Sequence, residues 1–161
     1  WGPDLLGPER LMRWADDNPS VAVYPSSLSH DPIYLAALER LVSVNSAVEV
    51  DLMGQVNSER VKGRQISGIG GSIDFFEAAT HAQQGLRIIA LPSTTPDGAV
   101  SRIVARLGPE SAVTLPAGLV QIVVTEYGVA QLEGRSTRER AEALAAIAAP
   151  QHRDRLLEAL S

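Results

Sequence analysis

Two apolar runs, Leu86–Leu91 (LRIIAL) and Val120–Thr125 (VQIVVT), constrain the fold of this chain more than any other feature. Each has the length of one strand and is followed by a short loop. Runs of this kind are typical of strands buried on both faces of a parallel sheet. Because helical patterns alternate with these strands, the sequence predicts an α/β fold, a mixed, largely parallel sheet flanked by helices.

Capping, turn and periodicity signals place the other elements along the chain. The predicted helices are Glu9–Asp16, a helix capped by Asp31 and running to Ser43, Ile73–Ala82, Ser136–Ala149, and a last helix from Pro150 to near Leu160. Ser136 and Glu139 stand in the register of a capping box. The predicted strands are Val21–Tyr24, Val44–Leu52, a pair within Gln55–Ile66 that turns near Asn57-Ser58, and Val100–Leu107.

Composition excludes several classes of function. The chain has no cysteine, which excludes disulfides, thiolate metal sites and a thiol nucleophile. Fourteen basic and nineteen acidic residues, with no basic cluster, predict no nucleic-acid partner. The three histidines are dispersed, so no metal is expected. No apolar run reaches the ~20 residues of a membrane span. Thirteen of the fourteen basic residues are Arg, a bias that is typical of GC-rich bacterial genomes. We therefore expect a bacterial, cytoplasmic protein without a membrane partner.

The strongest local motif is Gly68–Ser72 (GIGGS), called the glycine loop below, which precedes a predicted helix. Glycines allow a positive φ and a close approach of the backbone to a ligand. Free amides at the helix N-terminus favour an anion or a polarised carbonyl oxygen. From the spacing alone, a tight turn without a ligand is about as well supported. A dinucleotide site is disfavoured, because Ile73 and Pro92 stand where a third glycine and an acidic residue are required.

Two further side chains are candidates for chemistry. Glu126 directly follows the apolar run Val120–Thr125, at the end of the sheet where ligand sites of α/β proteins collect. Partial burial there would raise its pKa and suit it to proton transfer or to polar orientation. From these residues alone, a carboxylate that caps a short turn at Gly128–Ala130 is the slightly favoured interpretation. His30 is expected to be a loop residue, because the next residue, Asp31, is needed as the N-cap of the following helix.

Six motifs, in order along nearly the whole chain, resemble the acetyl-CoA hydrolase/transferase family, which includes 4-hydroxybutyrate and succinyl-CoA:acetate CoA-transferases. These motifs are Val44–Ser58, Ser67–Phe75, Ile89–Thr94, Ser101–Val104, Val124–Gly134 and Ser136–Ala141. The resemblance implies a class I CoA-transferase built from two similar α/β domains. Residues 1–161 resemble the C-terminal domain, so the chain is expected to be a fragment that lacks the N-terminal domain and is inactive alone.

The resemblance also implies a reaction and its partners. The substrates are acyl-CoA and short-chain carboxylates, CoA is a substrate and not a permanently bound cofactor, and the enzyme is a homo-oligomer, expected to be a dimer. The reaction is a ping-pong transfer through a glutamyl-CoA thioester, and its glutamate lies in the absent upstream domain. The alternatives are an acetyl-CoA hydrolase of the same family and a CoA-binding module without catalysis.

Site residues follow from the same resemblance. The amides of Gly70 and Gly71 line the oxyanion site of the thioester, and Gly68 belongs to the CoA-binding loop. Glu126 matches the second active-site glutamate of the family, which orients groups near the acyl pocket. His30 stands where the family commonly has an asparagine before Asp-Pro, a side chain that serves the oxyanion and CoA site. A neutral imidazole can donate one hydrogen bond in its place.

Overall fold

The computed structural model of the chain describes residues 2–159. Within that range the α-helices are α1 (Glu9–Ala15), α2 (Ser26–Ser29), α3 (Pro32–Ala36), α4 (Ser72–His81), α5 (Thr137–Ala146) and α6 (Pro150–Glu158). The strands are β1 (Val42–Asn45), β2 (Glu49–Asp51), β3 (Val56–Asn57), β4 (Arg60–Val61), β5 (Arg64–Gln65), β6 (Leu86–Ala90), β7 (Ile103–Val104), β8 (Ile122–Thr125) and β9 (Gly128–Gln131). A short 3-10 helix covers Ala117–Leu119.

The main sheet joins four strands in the order β1-β6-β8-β9. β1, β6 and β8 are parallel, whereas β9 pairs with β8 in the antiparallel direction. The predicted fold class, a mixed, largely parallel sheet flanked by helices, is thereby confirmed. Because three strands run the same way, they end at one side of the sheet, called the carboxyl edge below. Ligand sites of α/β proteins collect at such edges.

A smaller sheet has the order β3-β2-β7, and β4 and β5 form a separate hairpin. Asp51, at the end of β2, is buried. Its Oδ1 accepts hydrogen bonds from the amides of Met53 at 3.0 Å and Gln55 at 2.9 Å. This carboxylate therefore closes the turn between β2 and β3.

The hydrophobic core lies between one face of the main sheet and the helices α4 and α5. α4 contacts β1 and β6, and α5 contacts β9. Phe76 of α4, Leu144 of α5, and Ile89 and Val123 of the sheet are fully buried members of this core. Burial of side chains of this size stabilises a fold by roughly 1.5–3 kcal/mol each. The core thus fixes the position of α4 on the sheet.

The expectation that Leu86–Leu91 is buried on both faces is wrong. Along β6, Arg87 and Ile89 are buried, whereas Leu86 and Ile88 are only half-buried. The physical reason is that the core helices cover one face of the main sheet, and the other face has no equivalent layer within residues 2–159.

Several predicted boundaries are also wrong. The helix capped by Asp31 ends at Ala36 and not at Ser43, because Arg40 adopts a positive φ of 55° before β1 begins. Val44–Leu52 is not one strand, since β1 and β2 belong to different sheets. The hairpin of β4 and β5 turns at Lys62-Gly63, both with positive φ, and not at Asn57-Ser58.

Other differences concern the ends of the strands. Of the predicted strand Val100–Leu107, only β7 pairs as a strand, and Ser101 adds one isolated bridge to Thr94. Val21–Tyr24 makes a single bridge, from Val23 to Gly2. The segment Gly128–Ala130, expected as a turn, belongs to β9. The helices α4 and α5 are confirmed, α5 with its Ser136–Glu139 capping box. The predicted end of the last helix at Leu160 lies outside the described residues.

Gly85 joins α4 to β6 and generates a testable prediction. A Cβ at this position would overlap the backbone carbonyl oxygen of Ala79, so α4 would have to move away from the sheet. We expect Gly85→Ala to lower the free energy of unfolding by about 1–3 kcal/mol, measured by urea denaturation. Gly118→Ala is the matched control, because a Cβ there meets no atom within 4 Å. Equal stabilities of the two variants would contradict this packing.

Candidate active site

The carboxylate of Glu126, directly after β8, is held by one serine. The amide of Ser93 donates to Oε2 of Glu126 at 2.9 Å, and the hydroxyl of Ser93 donates to Oε1 at 2.6 Å. Ser93 lies three residues beyond the end of β6 and is fully buried, whereas Glu126 is exposed. A buried residue at the carboxyl edge thus orients both oxygens of an exposed carboxylate.

These hydrogen bonds also determine the ionisation of Glu126. The Ser93 hydroxyl is the largest cause of a pKa lowered below the ordinary glutamate value of 4.5, and backbone amides add to it. The expectation of a pKa raised by partial burial is therefore wrong, because donors face the ionised form of an exposed side chain. A lowered pKa stabilises the fold above 4.5, and this contribution is lost as the pH falls through the folded-state value.

A second cluster forms around His30 and Gly71. A Cβ at Gly71 would overlap Cδ2 and Nε2 of His30, so the imidazole occupies the space that any larger residue would need. The ring packs edge-on against Phe75, with centroids 5.2 Å apart. Nδ1 of His30 lies 3.0 Å from Oγ of Ser29, which is buried. The imidazole is therefore held by neighbours on several sides, with Nε2 against the glycine loop.

The glycine loop presents backbone amides without acceptors. Gly68, Ile69 and Gly70 are exposed, and Gly70 has a φ of 60°, a conformation that favours glycine. No described residue accepts a hydrogen bond from the amides of residues 68–71. They lie just before α4, whose N-terminus is the positive end of the helix dipole. This arrangement suits a negatively charged or polarised oxygen.

The direction of α4 places both clusters at the carboxyl edge. α4 leads through a short connection into β6 and packs on β6 and β1, so it runs antiparallel to them. Its N-terminus, with the glycine loop and His30, therefore lies over the edge that carries Ser93 and Glu126. Among the described residues, no hydrogen bond joins the His30–Gly71 pair to the Ser93–Glu126 pair. The predicted site residues form two neighbouring clusters, not one bonded network.

Ser93 and Ser29 were not among the residues predicted from the sequence. A signal for Ser93 existed, since it is the first polar residue after the apolar run Leu86–Leu91, at the end of a predicted parallel strand. Ser29 gave no such signal, because its role depends on a contact with the neighbouring ring.

Residues 2–159 contain no group of three or more His, Asp or Glu side chains arranged to hold a metal ion. In the same range, no helix has the length and apolar character needed to cross a membrane.

Comparison with known proteins gives the family. Residues 7–160 match the acetyl-CoA hydrolase/transferase C-terminal domain. The chain belongs to the acetyl-CoA hydrolase/transferase family. The 4-hydroxybutyrate coenzyme A transferase of Clostridium kluyveri is 44% identical over 153 residues, 95% of this chain and 36% of that protein. The resemblance found in the sequence is thereby confirmed.

Solved structures agree with this assignment to the acetyl-CoA hydrolase/transferase family. RipA from Yersinia pestis superposes with a TM-score of 0.88 at 36% identity, covering 96% of this chain and 34% of that chain. A 4-hydroxybutyrate CoA-transferase from Porphyromonas gingivalis superposes with a TM-score of 0.76 at 38% identity, covering 96% and 35%. The chain thus spans about a third of the length of the family members that it matches.

The contact between His30 and Gly71 can be tested in this chain. Gly71→Ala forces a Cβ into the imidazole, and we expect a loss of about 1–3 kcal/mol in the free energy of unfolding. That loss should shrink in a His30→Ala background, since the overlapping ring is then absent. Urea denaturation of the four proteins in the cycle measures it, with Gly68→Ala as the control in open space. The same loss in both backgrounds would refute the contact.

The hydrogen bonds from Ser93 to Glu126 can be tested by titration. Ser93→Ala removes the main cause of the lowered pKa, so the pKa of Glu126 should rise toward 4.5. Thr95→Ala should instead raise the pKa of Asp97, which is lowered chiefly by the Thr95 hydroxyl. Carbon NMR of the carboxyl groups measures both values, and each variant is the control for the other. An unchanged Glu126 titration in Ser93→Ala would disprove the assignment.

Proposed function

We propose that this chain is the C-terminal domain of an acyl-CoA:carboxylate CoA-transferase, of the type that exchanges CoA between 4-hydroxybutyrate and acetate. The observation that carries the proposal is the exposed Glu126 carboxylate, oriented by Ser93 at the carboxyl edge of a domain of this family. An N-terminal domain completes the site and contributes the nucleophilic glutamate. The Clostridium kluyveri protein is long enough to include such a domain, since this chain covers 36% of its length.

The first half-reaction is covalent catalysis by a carboxylate. The nucleophilic glutamate attacks the carbonyl carbon of acyl-CoA, and the negative charge that develops on the oxygen receives hydrogen bonds from the amides of Gly70 and Gly71. The C–S bond breaks, CoA leaves as a thiolate, and an acyl-glutamyl anhydride remains. The thiolate then attacks the glutamyl carbonyl and expels the acyl group as its carboxylate, which leaves a glutamyl-CoA thioester. Gly68 lies in the loop that lines the CoA site.

The second half-reaction runs the same steps in reverse. An incoming carboxylate attacks the glutamyl-CoA thioester and displaces the thiolate, which forms a new anhydride. The thiolate attacks the acyl carbon of that anhydride, which releases the new acyl-CoA and the free glutamate. In the hydrolase alternative, water attacks the glutamyl-CoA thioester and releases CoA. The two reactions differ only in which nucleophile reaches this thioester.

Glu126 and His30 have supporting roles in this proposal. Glu126, with its lowered pKa, is ionised at neutral pH and accepts hydrogen bonds, so it orients polar groups beside the acyl pocket. His30 contributes one hydrogen bond to the oxyanion and CoA site. In the tautomer with the proton on Nε2, Nε2 donates beside Gly71, and Nδ1 shares the proton of the Ser29 hydroxyl with the carbonyl oxygen of Pro25.

The proposed enzyme acts on acyl-CoA and short-chain carboxylates and needs no permanently bound cofactor. It is a cytoplasmic bacterial homo-oligomer, in the simplest case a dimer.

The complete gene product tests the proposed reaction. Incubation with acyl-CoA and acetate should yield acetyl-CoA, and hydroxylamine should trap the glutamyl-CoA intermediate as a hydroxamate. Free CoA without acetyl-CoA supports the hydrolase alternative. Binding of CoA without turnover supports a CoA-binding module and overturns the enzyme proposal. The absence of transfer, hydrolysis and hydroxamate overturns covalent transfer.

Glu126→Gln tests the role of the oriented carboxylate. We expect the rate of CoA transfer by the complete gene product to fall by roughly 10²-fold or more, because the charge that orients polar groups is lost. The melting temperature should change little, since the side chain is exposed. Glu110→Gln, another exposed glutamate, is the matched control and should keep the full rate. A normal rate in Glu126→Gln would remove Glu126 from the active site.

A further inference from the structure

Glu126 lies in the hairpin loop between β8 and β9. Thr125 of β8 pairs with Gly128 of β9, so Glu126 and Tyr127 are the two residues of this loop. Two-residue hairpin loops favour turn types with a positive φ at the first residue or at both. Neither Glu126 nor Tyr127 is among the described residues with a positive φ. The turn geometry alone therefore does not explain the position of the Glu126 carboxylate.

The hydroxyl of Thr125, the residue before Glu126, links this loop to the end of α5. Thr125 is buried, and its Oγ1 donates a hydrogen bond to the carbonyl oxygen of Ile147 at 2.5 Å. The same oxygen accepts a hydrogen bond from the amide of Tyr127 at 3.1 Å. Ile147 is the C-cap of α5 and is buried as well. One hydroxyl thus connects the backbone on both sides of Glu126 to a helix end in the core.

The other residue of the hairpin loop, Tyr127, is contacted by α6. The guanidinium of Arg153 lies 5.6 Å from the centroid of the Tyr127 ring, within the range of a cation–π interaction. Nε of Arg153 donates to the carbonyl oxygen of Ala148 at 2.8 Å, so the guanidinium is itself oriented by the segment between α5 and α6. The loop therefore has a second contact with the same part of the chain.

α6 also contacts the loop that carries Ser93. In the tautomer with the proton on Nε2, His152 donates to the carbonyl oxygen of Gly98 at 3.3 Å. Gly98 follows Ser93 by five residues. Residues Ile147–Arg153, called the α5–α6 corner below, thus contact both of the loops that form the Ser93–Glu126 pair.

We propose that Thr125 and the α5–α6 corner position the Glu126 carboxylate against Ser93, so that it can orient polar groups of the substrate. This inference rests on the proposed function, because it assigns the support of a carboxylate that the proposed reaction uses. Thr125 acts as a positioning residue, since its hydroxyl bonds to backbone atoms and not to the carboxylate.

The geometry of the Ser93–Glu126 pair makes it sensitive to the position of the loop. Ser93 is buried, and it reaches the carboxylate through its amide at 2.9 Å and through its hydroxyl at 2.6 Å. A displacement of the hairpin loop away from Ser93 by about 1 Å would lengthen both hydrogen bonds beyond their usual range. The contacts of Thr125 with the α5–α6 corner oppose such a displacement.

Thr114 provides a matched control for Thr125. It is also buried, and its Oγ1 likewise accepts from a backbone amide, that of Ser58 at 2.9 Å. The hydroxyl donates to Oε1 of Glu59 at 2.9 Å, so its partners lie outside the hairpin and outside the α5–α6 corner. Thr125→Val and Thr114→Val therefore remove hydroxyls of similar burial and bonding, and Thr125→Ser retains the hydroxyl.

Carbon NMR of the carboxyl groups in this chain tests the positioning. In Thr125→Val the pKa of Glu126 should rise toward 4.5, because the hydrogen bonds that lower it weaken when the loop is released. Thr125→Ser and Thr114→Val should keep the lowered pKa of Glu126. The pKa of Glu139, lowered by the capping box at the start of α5, should stay unchanged in all three variants. A lowered pKa of Glu126 in folded Thr125→Val, or an equal rise in Thr114→Val, overturns the inference.

Tyr127→Leu is a second test that leaves the buried hydroxyl of Thr125 in place. Tyr127 is 47% exposed, so the variant should fold. Loss of the ring removes the contact with Arg153 and should also raise the pKa of Glu126, whereas Tyr127→Phe keeps a ring and should leave that pKa lowered. If Thr125→Val does not fold, equal pKa values of Glu126 in Tyr127→Leu and Tyr127→Phe overturn the inference.

Kinetics of the complete gene product separate this inference from the proposed function. Thr125→Val should lower kcat for CoA transfer by roughly tenfold or more and leave the KM for acyl-CoA within about twofold, because misplacement of a catalytic group lowers the rate of the chemical step. Thr125→Ser should restore most of kcat, and Thr114→Val should keep it. Equal losses of kcat in Thr125→Val and Thr114→Val overturn the inference. If the wild type transfers no CoA while the titration of Glu126 responds as expected, the proposed function fails and the positioning of Glu126 stands.

Discussion

The parallel pairing of β1, β6 and β8 is the constraint on which the rest of the structure depends. It makes the strands end together, so Ser93 and Glu126, 33 residues apart in the chain, meet within hydrogen-bonding distance. It also sets the direction of α4, which returns over the sheet to begin β6 and carries the glycine loop to the same edge. The direction of the strands thus determines where the candidate site lies, and the side chains at the strand ends determine its chemistry.

The two faces of this sheet are built differently. One face is covered by helices and contains the buried Arg87, which pairs with the exposed Glu133, as well as aliphatic residues. The other presents aliphatic side chains to its surroundings. The two faces of the sheet therefore differ in cover within residues 2–159.

Much of this structure could be predicted from the sequence. The glycines of the glycine loop, the capping residues Ser136 and Glu139, and the two apolar strands each carry a local signal, and the structure has the corresponding elements where they were expected. Family motifs added the glutamate after β8. These features depend on neighbours in the chain or on the composition of one segment, so a linear pattern is sufficient to find them.

What could not be predicted depends on distant partners. The pKa of Glu126 was expected to rise, and it is lowered, because its hydrogen-bond donor Ser93 lies in the loop after another strand. The run Leu86–Leu91 indicates an apolar strand, but it does not show whether other elements of this chain bury both faces of that strand. The helix after Asp31 ends at Ala36, although the apolar spacing continues to Val42. The reason is that the residues from Val42 onward pair with β6 as strand β1 of the main sheet.

The steric contact between His30 and Gly71 has a consequence for the evolution of the family. The imidazole occupies the volume that a side chain at position 71 would need, so a larger residue there requires the ring of His30 to move. A lineage that enlarges residue 71 must first shrink or redirect residue 30, and the order of these two steps matters. Sequence variation at the pair should therefore be correlated, with the histidine found only where a glycine follows 41 positions later.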